Sequence, residues 1–203
     1  MKRFLVLASA IFSFSAAGSV SAAGSAEAGA AKAVVCQACH GPMGHSANPE
    51  WPSLAGLGAD YIATQLQNFK EGKRNNAIMM PNAMGLSSDD MADLAAYFDS
   101  QSSTKGLEAD PSLAQAGEHL YRGGDPTRGV PACEACHGPS GAGNEPAKFP
   151  ALRGQQSIYV VSQLHNYASG QRGTGPNGIM QTIAGRLSED EMKAVASYVQ
   201  GLQ

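Results

Sequence analysis

The strongest constraint on this chain is a five-residue pattern that occurs twice, Cys36-Gln37-Ala38-Cys39-His40 and Cys133-Glu134-Ala135-Cys136-His137. Cys-x-x-Cys-His is the attachment signature of c-type haem, in which two thiols add to the vinyl groups and the adjoining imidazole binds the iron. The spacing has a physical reason. One turn of backbone places both sulfurs against the same edge of the macrocycle, and the histidine, next in line, falls over the metal. Each copy continues into Gly-Pro (Gly41-Pro42 and Gly138-Pro139), and the two together use all four cysteines. No thiol is left over for a disulfide.

Two other uses of paired cysteines fit less well. A zinc ribbon expects its pairs roughly 15–20 residues apart, whereas here almost a hundred intervene, and zinc gives no reason for a histidine after both pairs. A thioredoxin-like dithiol needs a βαβ context with strands rich in Val and Ile, which this chain lacks.

Residues 1–22 read as an export signal. Lys2 and Arg3 open it, an apolar and small-residue stretch runs from Phe4 to Val20, and Val20-Ser21-Ala22 offers small residues for cleavage before Ala23. The apolar run is too short and too rich in Ser and Gly for a membrane anchor. The expectation is a periplasmic protein with no transmembrane anchor in its mature form, any peripheral membrane association arising through a partner or surface charge. Loss of Lys2 and Arg3 leaves 12 basic and 17 acidic side chains, a net of about −5. That balance argues against nucleic acid, whose phosphates demand a basic face. Residues 23–104 hold four basic and eight acidic groups and residues 105–203 hold eight and nine, so charge is distributed as a dipole along the chain.

The motif is the clearest part of a longer internal repeat. Trp51-Pro52-Ser53-Leu54-Ala55-Gly56 answers to Phe149-Pro150-Ala151-Leu152-Arg153-Gly154, and the stretch Tyr61 to Arg74, with Gln65, Leu66, Phe69 and Gly72, answers to Tyr159 to Arg172, with Gln163, Leu164, Tyr167 and Gly170. Ile78-Met79 then matches Ile179-Met180, and Leu86-Ser87 matches Leu187-Ser188, while the offset drifts only from 97 to 101 residues. A duplication is the simplest account. It divides the mature chain into an N-terminal domain at 23–103, a polar linker at 104–112 and a C-terminal domain at 113–203.

Each half reads as helical. Short helices over Glu27–Val35 and Ser112–Tyr121 lead toward the motifs, and helices spanning Tyr61 to Gly72 and Tyr159 to Gly170 follow them. The last helix of each half opens on a Ser cap with acids in its first turn, at Ser87 and at Ser188. Gly29 and Gly117 permit close approach to those final helices, and residues 79–84 read as a Met-rich loop. Domains this small, with Ala- and Gly-rich helices, bury little apolar surface. A central macrocycle supplies the missing core, so the haem-free chain is expected to be largely unfolded.

His40 and His137 are assigned one axial position of each iron. Methionine suits the other in an electron carrier, because its soft thioether favours reduced iron and leaves no open position for substrate. Between the motif and last helix of the second half the only methionine is Met180. The first half offers Met79, Met80 and Met84, besides Met43, and the repeat selects Met79 as the counterpart of Met180. His45, His119 and His165 have no histidine at the matching place in the other half and read as surface or packing residues.

With these residues in view, the mature chain resembles the dihaem cytochrome c4 family. The resemblance rests on two Cys-x-x-Cys-His motifs, a downstream Met in each half, the Tyr-x-x-x-Gln-Leu helices and Arg122-Gly123-Gly124 ahead of the second motif. It implies an all-α fold of two tandem class I cytochrome c domains and two covalently bound haem c groups, held by Cys36, Cys39, Cys133 and Cys136. It also implies His–Met ligation and propionate edges near the domain interface. The Pro52 and Pro150 carbonyls would accept the histidines' other N–H, and Arg74 and Arg172 are candidates for propionate contacts, with a solvated surface as their alternative.

The function implied is a periplasmic carrier shuttling electrons from a quinol-oxidising complex or other donor to a terminal cytochrome c oxidase, with no catalytic residue of its own. The alternative is the dihaem cytochrome subunit of a flavocytochrome c sulfide dehydrogenase-like enzyme. A dihaem peroxidase fits poorly, since both halves offer methionine. On charge alone the first haem should have the lower potential, because negative charge stabilises oxidised iron.

Overall fold

The computed structural model describes residues 24–173 and 175–202. The stretch read as an export signal lies outside them. Among the described residues no extended strand forms, and ten α-helices appear in an order that repeats. The first half contributes α1 (Ala26–Lys32), α2 (Val34–His40), α3 (Ala59–Lys70), α4 (Met79–Met84) and α5 (Ser88–Asp99). The second contributes α6 (Ala114–Gly123), α7 (Glu134–His137), α8 (Ser157–Ala168), α9 (Ile179–Ala184) and α10 (Glu189–Gly201).

The helix ends follow local chemistry. At α5 the Ser87 hydroxyl accepts the Asp90 N–H while the Asp90 carboxylate accepts the Ser87 N–H, and Ser188 with Glu191 repeats this reciprocal cap at α10. Helices α3 and α8 stop just short of Gly72 and Gly170, which turn the chain at φ 69° and 75°.

In each half the first helix lies across the last, α1 on α5 and α6 on α10, while α3 and α8 pack on the same final helices from another side. Glycine permits these crossings. A Cβ on Gly29 would sit 2.0 Å from the Asp93 carbonyl oxygen, and one on Gly117 would sit 2.2 Å from that of Ala194, so no larger residue fits without backbone movement. The main core cluster of the first half is Ala33, Ile62, Leu94, Ala95 and Phe98. That of the second is larger, running through Leu120, Tyr121, Val130, Leu164, Met192, Val195, Tyr198 and Val199.

Three local features depart from the sequence expectation. The leading helix α1 ends at Lys32, and after a break at Ala33 a second helix, α2, starts at Val34 and carries the whole first motif. In the second half α6 extends to Gly123, and a loop separates it from the single turn α7. Residues 79–84, read as a loop, form α4. Asn76 explains this, since its side-chain oxygen accepts the N–H groups of Ile78 and Met79 at 3.0 and 2.9 Å, and Pro81 falls in the first turn, where a missing N–H is tolerated.

The polar connection between the halves is strapped to the second. Ser197 Oγ accepts the Asp110 N–H at 2.8 Å, and Gln200 Nε2 donates to the Leu107 carbonyl at 3.1 Å. No helix among the described residues is long and apolar enough to cross a membrane.

Candidate functional site

His40 is the last residue of α2 and His137 the last of α7, and each is followed by a glycine at positive φ, Gly41 at 78° and Gly138 at 80°. At Gly41 the turn is tight enough that a Cβ would approach the His45 carbonyl oxygen to 1.9 Å. Both imidazoles are buried. Nδ1 of His40 donates to the Pro52 carbonyl at 2.8 Å, and Nδ1 of His137 donates to the Pro150 carbonyl at 2.9 Å. Burial pushes both histidines below their ordinary pKa, and the proline carbonyls only partly offset this. Each ring is therefore neutral with its proton on Nδ1, which leaves the Nε2 lone pair for a metal.

Both rings face one continuous cavity of about 1330 Å³ that runs through the two halves. Its walls carry Cys36, Cys39, His40 and Met79 from the first half and Cys133, Cys136, His137 and Met180 from the second. None of the four cysteines is paired in a disulfide. Met79 and Met180 are the methionines on the cavity wall, whereas Met84 is 63 % exposed. Among the described residues no three His, Cys, Asp or Glu side chains converge as a metal cluster would require. His45 reaches Thr104 Oγ1 at 2.9 Å, and His165 pairs with Glu189 on the surface at 2.8 Å.

Arg74 and Arg172 are not surface residues. Both are buried, at 8 % and 4 % exposure, and they meet across the domain interface, where their backbones form an isolated bridge. Arg74 donates to Gln65 Oε1 in its own half at 2.8 Å, and to the Tyr159 hydroxyl and Gln163 Oε1 in the other at 3.0 and 2.9 Å. Arg172 mirrors it, donating to Gln163 at 2.8 Å, to the Tyr61 hydroxyl at 2.6 Å and to Gln65 at 3.2 Å. Each guanidinium also lies 4.6 Å over a ring of its own half, Phe69 or Tyr167. Burial alone would raise the Tyr159 phenol, but the two guanidiniums outweigh it and pull its pKa down.

The residues present fit covalent haem. Two buried guanidiniums face the cavity, and among the described residues none of their hydrogen bonds goes to a carboxylate and Arg172 Nε is buried with no partner. Buried charge of this kind calls for anionic company, which haem propionates would supply. Paired thiols, neutral imidazoles with a free Nε2 and thioethers on a shared apolar cavity complete the donor set. Tyr61, Gln65, Tyr159 and Gln163 were not singled out as site residues from the sequence. The signal was there, because the Tyr-x-x-x-Gln pattern is doubled, but a repeat alone does not say that its members meet.

A helical pair of domains around such a cavity defines a dihaem electron-transfer cytochrome. The cytochrome c family model matches residues 26–102 and again 114–203. A cytochrome c4 from Azotobacter vinelandii is 49 % identical over 191 residues, covering 89 % of this chain and 90 % of the relative. The crystal structure of reduced recombinant cytochrome c4 from Pseudomonas stutzeri superposes with a TM-score of 0.86 at 44 % identity, covering 89 % of this chain and all of that one. A thiosulfate dehydrogenase electron acceptor from Thiomonas intermedia is 40 % identical over 172 residues, covering 83 % of this chain and 78 % of its own. The chain belongs to the cytochrome c4 family, with two cytochrome c domains and two covalently bound haem c groups.

Proposed function

We propose that this protein is a periplasmic carrier that takes electrons from a quinol-oxidising complex or a comparable donor and passes them to a terminal cytochrome c oxidase. The observation that carries this reading is that each half brings two cysteines, one buried imidazole and one methionine to the cavity. Bound haem supplies a one-electron ferric/ferrous couple. Cys36 and Cys39 hold one group and Cys133 and Cys136 the other. His40 with Met79 and His137 with Met180 would hold the two irons, a donor set suited to electron transfer rather than to binding substrate.

Pro52 and Pro150 fix the imidazole planes through the Nδ1 hydrogen bonds. Arg74 and Arg172 would neutralise propionates where the domains meet. Domain bounds at 23–103 and 113–203, joined by the strapped linker at 104–112, follow the internal repeat, and the leader at 1–22 directs export.

A second reading is favoured by the relative named as a thiosulfate dehydrogenase electron acceptor: the chain accepts electrons from a dehydrogenase acting on a reduced sulfur compound. The flavocytochrome subunit inferred from sequence is a variant of that role. Reduced protein added to oxidase-containing membranes should sustain oxygen uptake that a cyanide block abolishes. Failure there, with fast reduction by a sulfur-compound dehydrogenase, would move the assignment to the second reading.

A further inference from the structure

The carbonyl that receives the His40 proton belongs to the Pro52–Ser53 peptide, and the N–H of the same planar unit is claimed from the other domain. Ser53 N donates to Gln155 Oε1 at 2.9 Å, and Gln155 Nε2 returns a bond to the Ser53 carbonyl at 3.0 Å. The arrangement fixes the amide's orientation, since one end must accept and the other donate. Gln155 Oε1 also accepts the Gln156 N–H at 3.3 Å. Ser53 and Gln155 are buried, at 3 % and 5 % exposure, so water does not compete. A chain of hydrogen bonds thus runs from Gln155 Oε1, through one peptide group, to the ring of His40.

The second half has a weaker version. The Ala151 N–H, in one peptide with the Pro150 carbonyl, donates to the Leu57 carbonyl of the first domain at 3.3 Å, and Pro150 accepts His137 Nδ1–H at 2.9 Å. Leu57 is the residue that the repeat sets opposite Gln155, so the same position on each domain reaches across to the histidine support of the other.

We infer that Gln155 is a positioning residue for the first haem, acting from the second domain through the Ser53–Pro52 peptide on His40 to lower that haem's potential. Hydrogen bonds in series polarise one another. An acceptor on Ser53 N–H makes the Pro52 oxygen a better acceptor, His40 Nδ1–H is drawn further toward it, and the imidazole becomes a stronger donor to oxidised iron. The longer bond at Ala151 does less for His137. The inference rests on His40 being an axial ligand of the first haem.

The test is a site-resolved redox titration of the haem-loaded protein, followed by NMR of the two ring N–H protons. Gln155→Met keeps the volume and removes the bonds. It should raise the first potential and leave the second in place, changing the electron-sharing equilibrium by on the order of threefold, about 28 mV for one electron, and should move the His40 Nδ1–H upfield. Gln155→Glu retains an acceptor opposite Ser53 N–H in either protonation state and should leave the first potential at or below its original value. Gln156→Met removes a neighbouring interdomain bond, from Gln156 Nε2 to the Ser46 carbonyl at 2.7 Å, outside the chain to His40, and should leave both potentials alone.

No shift in Gln155→Met, an equal shift of both haems, or an equal effect from Gln156→Met would overturn the inference. If Gln155→Met fails to fold, the unmodified protein decides: His40 Nδ1–H should lie downfield of His137 Nδ1–H, and the reverse order refutes the proposal. If His40 is not a ligand at all, its ring protons will lack the large haem-induced shifts before any variant is made, which separates failure of the ligand assignment from failure of this inference.

Discussion

The two domains share helix order and cavity donors but differ in how they treat the edge beside the cysteines. Six residues separate Gly29 from Cys36, and fifteen separate Gly117 from Cys133. In the first domain α2 runs straight through the motif, and Val35 lines the cavity. The second spends its extra residues on a loop that tucks Val130 into the core. Asp125 and Val130 exchange backbone bonds at 2.8 and 2.9 Å, Arg128 ties the loop to Glu191 on α10, and Arg186 donates to the Gly129 carbonyl. Val130 thereby joins the larger core cluster, ten buried residues against five. Within one fold, then, the first domain leans more heavily on its haem, and the second has more of a protein core.

The largest test of that contrast is removal of haem. In chain produced without haem attachment, far-UV circular dichroism should show most helix lost, and residual amide protection should be confined to α6 and α10. Equal protection of α1 and α5 would mean that the five-residue cluster suffices without the macrocycle.

A smaller effect comes from the helix crossings. Gly29→Ala and Gly117→Ala each force a Cβ onto backbone 2.0–2.2 Å away, an overpacking cost of about 3 kcal/mol. Denaturant titration should show both variants weakened, with Gly29→Ala unfolding at the lower denaturant concentration because its domain begins with less core. The opposite ranking would place the stability of the first domain elsewhere, in its contacts with the second.

What was legible in the sequence was what the chain writes locally or writes twice. The cysteines, histidines and their Gly-Pro continuations are contiguous, and the repeat pairs Met79 with Met180, both of which the structure places on the cavity wall. The capping serines were equally plain, since each needs only its own few neighbours. The helix α4 was hidden because six residues with a proline carry no periodicity, and its cap comes from Asn76, outside the helix. The burial of Arg74 and Arg172 could not be read from either half, because their partners Gln163, Tyr159, Tyr61 and Gln65 are shared across an interface. Gln155 was the least visible, since the repeat sets it opposite Leu57 and so gives it no doubled signal.

The smallest effect is also the most local, and it concerns the loop that distinguishes the second domain. Chiefly through Arg128, the Glu191 carboxyl is pulled down to about 2, and the Asp125 carboxyl is held well below the carboxylate range by Thr127 and then Arg128. A depressed carboxylate contributes stability that is complete above its unfolded pKa, near 4.5 for Glu191, and is lost as pH falls through the folded value. Acidification from about pH 4.5 toward 2 should therefore loosen the Asp125–Val130 loop. Exposed pairs contribute little because solvent screens them, so the response should be a modest rise in amide exchange at Asp125 and Val130, with α6 and α10 still protected. Glu191→Gln should reproduce that rise at neutral pH and flatten the acid dependence, provided that the Ser188 cap survives, which the Ser188 amide itself reports. Unchanged exchange in the variant would mean that burial of Val130 alone holds the loop, and the ion pairs would then contribute nothing to the difference between the two haem edges.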